Sequence, residues 1–115
     1  MRENCSFTAS LCGDVLEVCL TGEIDHHSAV FVRGKMDERI LADRPRKTVL
    51  DLSGIEFMDS SGLGLIMGRL ALMERLGGEL TVRHPNERLR RIFELAGLER
   101  KVRIERTEEE KEQET

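Results

Sequence analysis

The chain has 115 residues, enough for one domain with a hydrophobic core of its own, and its four phenylalanines are the only aromatics, so that core must be built from Leu, Ile, Val, Met and Ala. Charged residues make up 35% of it with mixed signs, and a formal net charge of -4 argues against a general affinity for nucleic acid. No run of about 18 apolar residues exists and no basic-then-apolar leader opens the chain, so a soluble, cytoplasmic protein without a membrane partner is expected.

Residues 5–11 alternate, with Cys5, Phe7, Ala9 and Leu11 on one face and Ser6, Thr8 and Ser10 on the other, the period of a half-buried strand. Gly13-Asp14 turns the chain, and Leu16, Val18 and Leu20 continue a second strand to Thr21-Gly22, which predicts a hairpin. Asp25 is placed to cap a helix over about 26–42, on which Ala29, Val32, Met36 and Ile40 form an apolar stripe among Arg33, Lys35, Asp37 and Arg39. Pro45 prevents its continuation.

Residues 48–52 are short and largely apolar, which suits a central strand buried on both faces. A loop over 53–59 is expected to lead into a second helix, about 60–76, ended by Gly77-Gly78. Residues 79–83 read as a fourth strand. A third helix follows His84-Pro85-Asn86, with Leu89, Ile92, Phe93 and Ala96 on its buried face and Gly97 at its end. A last strand is expected over 102–104. Residues 106–115 contain nothing apolar and read as a charged C-terminal tail to a domain over 1–105.

The order β-β-α-β-α-β-α-β predicts an α/β fold: a mixed sheet of four or five strands, parallel at its centre, with helices packed against it. Functional loops in such sheets gather beyond the C-terminal ends of the parallel strands. Two segments there, 22–25 and 53–60, are rich in acids and hydroxyls and are expected to form one surface.

Asp59-Ser60-Ser61-Gly62 is the most chemically pointed part of that surface, and several chemistries compete for it. Gly62, Gly64 and Gly68 give a G-x-G-x-x-x-G spacing, one residue longer than the dinucleotide fingerprint. No acid follows at the next strand end and no Gly-Lys-Ser/Thr is present, so close helix packing by small residues is the stronger reading and nucleotide binding the weaker. A serine nucleophile lacks the G-x-S-x-G elbow, and nothing places His26, His27 or His84 beside Ser60 as a base. An enzyme is therefore not expected. Arg88, Arg90, Arg91, Arg100, Lys101 and Arg103 scatter over a solvent face without an aromatic platform for bases. Cys5, Cys12 and Cys19 lack C-x-x-C spacing, so no metal site is expected and they receive no role.

A capping role for a serine hydroxyl explains one of the pair but not Asp-Ser-Ser-Gly as a unit. Modification fits better. A phosphoryl group there adds about 1.5–2 negative charges, which the exposed N–H groups of a helix start tolerate and a closely apposed partner does not.

Leu20-Thr21-Gly22-Glu23-Ile24-Asp25-His26-His27, Phe57-Met58-Asp59-Ser60-Ser61-Gly62-Leu63-Gly64, Gly68-Arg69, Gly77-Gly78-Glu79 and Ile92-Phe93-Glu94-Leu95-Ala96-Gly97-Leu98 together resemble the bacterial anti-sigma factor antagonists, the STAS-domain proteins. The Asp-His-His segment and Met58 favour their sporulation type, and the resemblance spans about 5–105. It implies a binding module whose unphosphorylated form holds an anti-sigma factor that is also a serine kinase, releasing a sporulation sigma factor. The kinase would use ATP to phosphorylate Ser60, and a serine phosphatase would reverse this; the protein itself would need no cofactor. Glu23, Asp25, Asp59, Ser61 and Gly62 would face the partner. A STAS-type regulator of a stress-response switch and a nucleotide-binding domain are the alternatives. The chain departs from the family in its short, almost wholly charged C-terminal segment and in its three cysteines.

Overall fold

The computed structural model describes residues 4–106; the tail expected from sequence lies, from residue 107 on, outside them. Strands β1 (Cys5–Cys12) and β2 (Val15–Ile24) form the hairpin, followed by α1 (His26–Asp43), β3 (Lys47–Met58), α2 (Ser60–Arg75), β4 (Glu79–Arg83), α3 (Glu87–Ala96), a 3-10 turn (Leu98–Arg100) and β5 (Arg103–Glu105). The sheet order is β1-β2-β3-β4-β5, antiparallel between β1 and β2 and parallel thereafter. The expected α/β fold with a five-stranded mixed sheet is observed.

Each crossover from β2 to β5 advances in the same direction across the sheet. Right-handed crossovers of that kind leave every helix on one face. The core records the result: Leu16, Val18, Leu20, Leu50, Leu52, Leu80 and Val82 of the strands pack with Val32, Met36 and Ile40 of α1, Ile66 and Met73 of α2, and Leu89 and Phe93 of α3. By strand alternation the other face carries Thr8, Cys19, Asp51, Arg83 and Glu105 in one row across the sheet. The expected burial of the central strand on both faces holds at Val49 and fails at Asp51. Val49 is buried on this second face, but Asp51 is only half-buried and no helix among the described residues covers it.

The hairpin turns at Gly13-Asp14, with Gly13 at φ 64°. Leu11, expected on the buried face, is 44% exposed because it lies near the hairpin tip, beyond the part of the sheet that the helices reach.

The larger correction concerns the strand ends. Residues 53–58 are not a loop: β3 runs to Met58 because β2 continues beside it, pairing Thr21 with Gly54, Gly22 with Ile55, Glu23 with Phe57 and Ile24 with Met58. The register shifts between Cys19 and Thr21 and again between Gly22 and Glu23, and each time β3 carries the extra residue, so β3 bulges twice against β2. Gly54 belongs to that bulge, not to a turn: a Cβ there would meet the Thr21 side chain and stand 3.0 Å from the Leu20 carbonyl oxygen.

No helix among the described residues is long and apolar enough to cross a membrane.

Candidate functional site: two capped helix starts side by side

Where β2 and β3 end together, two helices begin. The Asp59 N–H donates to the Ile24 carbonyl at 3.0 Å, so the residue that opens α2 is tied to the residue preceding Asp25, which opens α1. The two segments expected to share a surface do so, as paired strand ends and helix caps.

Asp25 caps α1. Its Oδ1 accepts the Ser28 N–H and the Ser28 hydroxyl, both at 2.8 Å, and its Oδ2 accepts from Asn4 Nδ2 at 2.9 Å. The Ser28 amide, then the Ser28 hydroxyl and Asn4, hold its carboxyl down to about 2. A carboxyl lowered below its unfolded value of about 3.9 stabilises the fold above that pH, and its contribution fades as pH falls towards 2. Between about pH 4 and pH 2 the Ser28 amide proton is therefore expected to move towards an uncapped chemical shift in NMR spectra. An amide already shifted at pH 5 would contradict the capping geometry.

Asp59 caps α2, its Oδ1 accepting the Ser61 N–H at 2.8 Å. The carboxylate one residue earlier takes the capping role that a serine hydroxyl could have filled, and releases both serines from it. Ser60 is the first helical residue and exposed, and its side chain has no partner among the described residues. Ser61 is half-buried and lines a groove between α1 and α2 with His26, Ala29, Val30 and Arg33. The first turn of α2 holds no acidic side chain, and Asp59 takes the Ser61 N–H with its carboxylate and the Gly62 N–H with its carbonyl.

Glu23, Asp25, Asp59, Ser60 and Ser61 are thus brought together. Gly62 is not at the surface with them. It is buried, and a Cβ there would run into the Met58 side chain, so this glycine serves the packing of α2 on β3. Gly64 and Gly68 differ: nothing lies within 4 Å of where their Cβ atoms would stand. Close helix approach therefore explains one of the three glycines. Two exposed apolar side chains, Phe57 (43%) and Val30 (54%), flank the site and were not anticipated. Phe57 pairs with Glu23 at the strand end, and only a reading of 53–58 as strand would have marked it.

The basic residues of the C-terminal third make no single face. Arg88 and Arg91 line a groove with Glu56 and Glu87, Arg90 borders another with Arg106, and Lys101 and Arg103 a third. On the open sheet face, donor atoms of Glu17, Cys19 and Asp51 lie within 4.8 Å of one another. Arg83 stands 3.8 Å from Glu17. Burial, then the Asp51 and Glu17 carboxylates, push the Cys19 thiol up and keep it protonated, which disfavours it as a nucleophile or metal ligand.

The STAS domain model matches residues 9–111. The chain belongs to the STAS domain family. Its STAS relatives include the anti-sigma F factor antagonist of Paenibacillus polymyxa, 45% identical over 73% of this chain and 72% of that protein. The anti-sigma-B factor antagonist of Bacillus subtilis is 35% identical over 72% of this chain and 74% of its own length. Among solved STAS structures, the anti-sigma factor antagonist SpoIIAA in its unphosphorylated form superposes with a TM-score of 0.77 at 29% identity, covering 91% of each chain. The phosphorylated form from Bacillus gives 0.70 at 28% identity over 95% and 98%. The relatives named here are anti-sigma factor antagonists.

Proposed function

We propose that this protein is a phosphorylation-switched antagonist of the sporulation type. Unphosphorylated, it binds in the cytoplasm to an anti-sigma factor that is also a serine kinase, and so frees a sporulation sigma factor. The kinase transfers a phosphoryl group from ATP to the Ser60 hydroxyl, binding ends, and a serine phosphatase restores the protein. It performs no catalysis of its own and holds no cofactor.

One observation carries this reading: Ser60 is an exposed, unengaged hydroxyl on the first residue of α2, directly after the capping Asp59 and beside the second capped helix start. A kinase needs such access, and the helix start tolerates the added charge. Glu23, Asp25, Asp59 and Ser61 form the polar part of the contact surface, and Phe57 and Val30 its apolar part.

Incubated with a purified anti-sigma F factor and ATP, the protein is expected to take up one phosphate, located on Ser60 by mass spectrometry. No phosphate, or phosphate confined to other residues, would sink the proposal. A stress-response switch is the second reading, favoured by the likeness to the Bacillus subtilis sigma-B antagonist. Tighter binding to an anti-sigma-B factor than to an anti-sigma F factor would select it.

A further inference from the structure

The two helices that begin at the site are each seated in the core, and a groove separates them near their starts. Val32, Met36 and Ile40 seat α1 in the core, and Ile66, Leu70 and Met73 seat α2. Between the helices the groove along Ala29, Val30 and Arg33 of α1 and Ser61, Gly64 and Leu65 of α2 stays open, about 310 Å³. Gly64 puts no side chain across it. Beyond the groove the two helices pack closely, and the side chains that meet there set their mutual angle.

Below the groove, Asp37 of α1 meets Arg69 of α2. Arg69 Nε lies 2.9 Å from Asp37 Oδ1, and their side chains are 9% and 32% exposed respectively. The charge is imperfectly served: the Nε–H is not aimed at the oxygen as a hydrogen bond, and Arg69 Nη1 has no hydrogen-bond partner among the described residues. Burial pushes the guanidinium below its usual value, Asp37 opposes this, and Arg33 adds to it. An apolar pair of similar volume would fill such a position at no loss of stability, and often with a gain. Stability is therefore a poor explanation for the pair. What it supplies and apolar side chains do not is a point-to-point link between α1 and α2.

We infer that Asp37 and Arg69 are positioning residues that set the angle between α1 and α2 and so hold the Asp25 and Asp59 caps as one partner-facing surface. The inference rests on the reading of that surface as the partner site. Arg69 follows Ser60 by nine residues, about 13.5 Å along the helix, so a tilt of roughly 10° at the pair displaces the helix start by ~2 Å. A displacement of that size is enough to spoil a preorganised contact surface.

The test uses the full chain, the Asp37→Leu/Arg69→Met double variant, and the anti-sigma F factor of Paenibacillus polymyxa as probe. The double variant is expected to melt at or above the wild-type temperature, to show shifted Ser28 and Ser61 amide signals, and to bind at least about tenfold more weakly. Arg69→Lys, which keeps the charge, is expected to stay within about threefold of wild type. Unchanged affinity in the double variant, or loss of its fold, would overturn the positioning role. Failure of the wild type to bind the probe counts against the partner reading instead. The Ser28 and Ser61 amides then decide the inference alone: unmoved signals overturn it, and shifted ones uphold it.

Discussion

Ser60→Asp is expected to weaken binding to the anti-sigma partner at least about tenfold while circular dichroism and the melting temperature stay native. The two halves of that result have different causes. In the free protein an acid on the first turn of α2 meets the exposed N–H end of the helix, which favours it by ~0.3–1 kcal/mol. Solvent reaches residue 60, so the charge stays hydrated and the fold has no reason to resist it. In the complex the partner must strip that water away with Asp59 adjacent. A unit repulsion across about 6 Å amounts to ~3 kcal/mol at an effective dielectric of 20, near a hundredfold in affinity before screening is allowed for. A phosphate, at about 1.5–2 charges, is expected to act more strongly than aspartate. Ser60→Ala should bind and resist release by ATP, whereas Ser61→Ala should still be phosphorylated. Titration calorimetry against the partner with and without ATP reads all three. Wild-type affinity in Ser60→Asp would leave the charge mechanism without support.

Phe93→Ala is expected to cost about 3–5 kcal/mol, a large part of the 5–15 kcal/mol that domains of this kind possess. Phe93 is fully buried, and with Leu89 it is one of only two buried side chains on α3, four residues apart on the face that meets the core. Losing one leaves the helix a single deep anchor. The urea midpoint should fall by roughly 1–5 M at ordinary slopes. Phosphorylation of Ser60 in the folded fraction should persist, because α1 and α2 are seated by other side chains. A loss below about 1 kcal/mol would mean that the site collapses around the cavity or that α3 is held by other contacts.

The order of elements was legible because each helix repeats its apolar residues every three or four positions and each is ended by a residue with a plain local reason: Pro45, Gly77, Gly97. The strand ends were not. Thr21-Gly22 and Ser53-Gly54 look like turns, and the two bulges of β3 break the two-residue period that would have exposed its second half as strand. Only the pairing of Ile24 with Met58, distant in sequence, fixes where β2 and β3 stop. The cap of α2 was ambiguous for a different reason, since Asp59, Ser60 and Ser61 are all competent N-caps in succession and local sequence does not choose among them. The surroundings of Ser60 were legible as a unit, but its exposure was not. Asp37 and Arg69 look like members of an ordinary solvated face until the packing of α1 on α2 turns them toward each other. Gly64 and Gly68 suggested close packing, and the structure gives them open space.

The sheet is laid down in the order in which the chain is made. Every strand pairs with its neighbour in sequence, and none is inserted between two already in place. An emerging chain can therefore build the domain by accretion: the hairpin first, then one strand and its crossover at a time, always onto a free edge. Each addition completes a unit before the next is needed, so Ser60 is in position once β3 and α2 have joined. The strands and helix that follow close the core behind it.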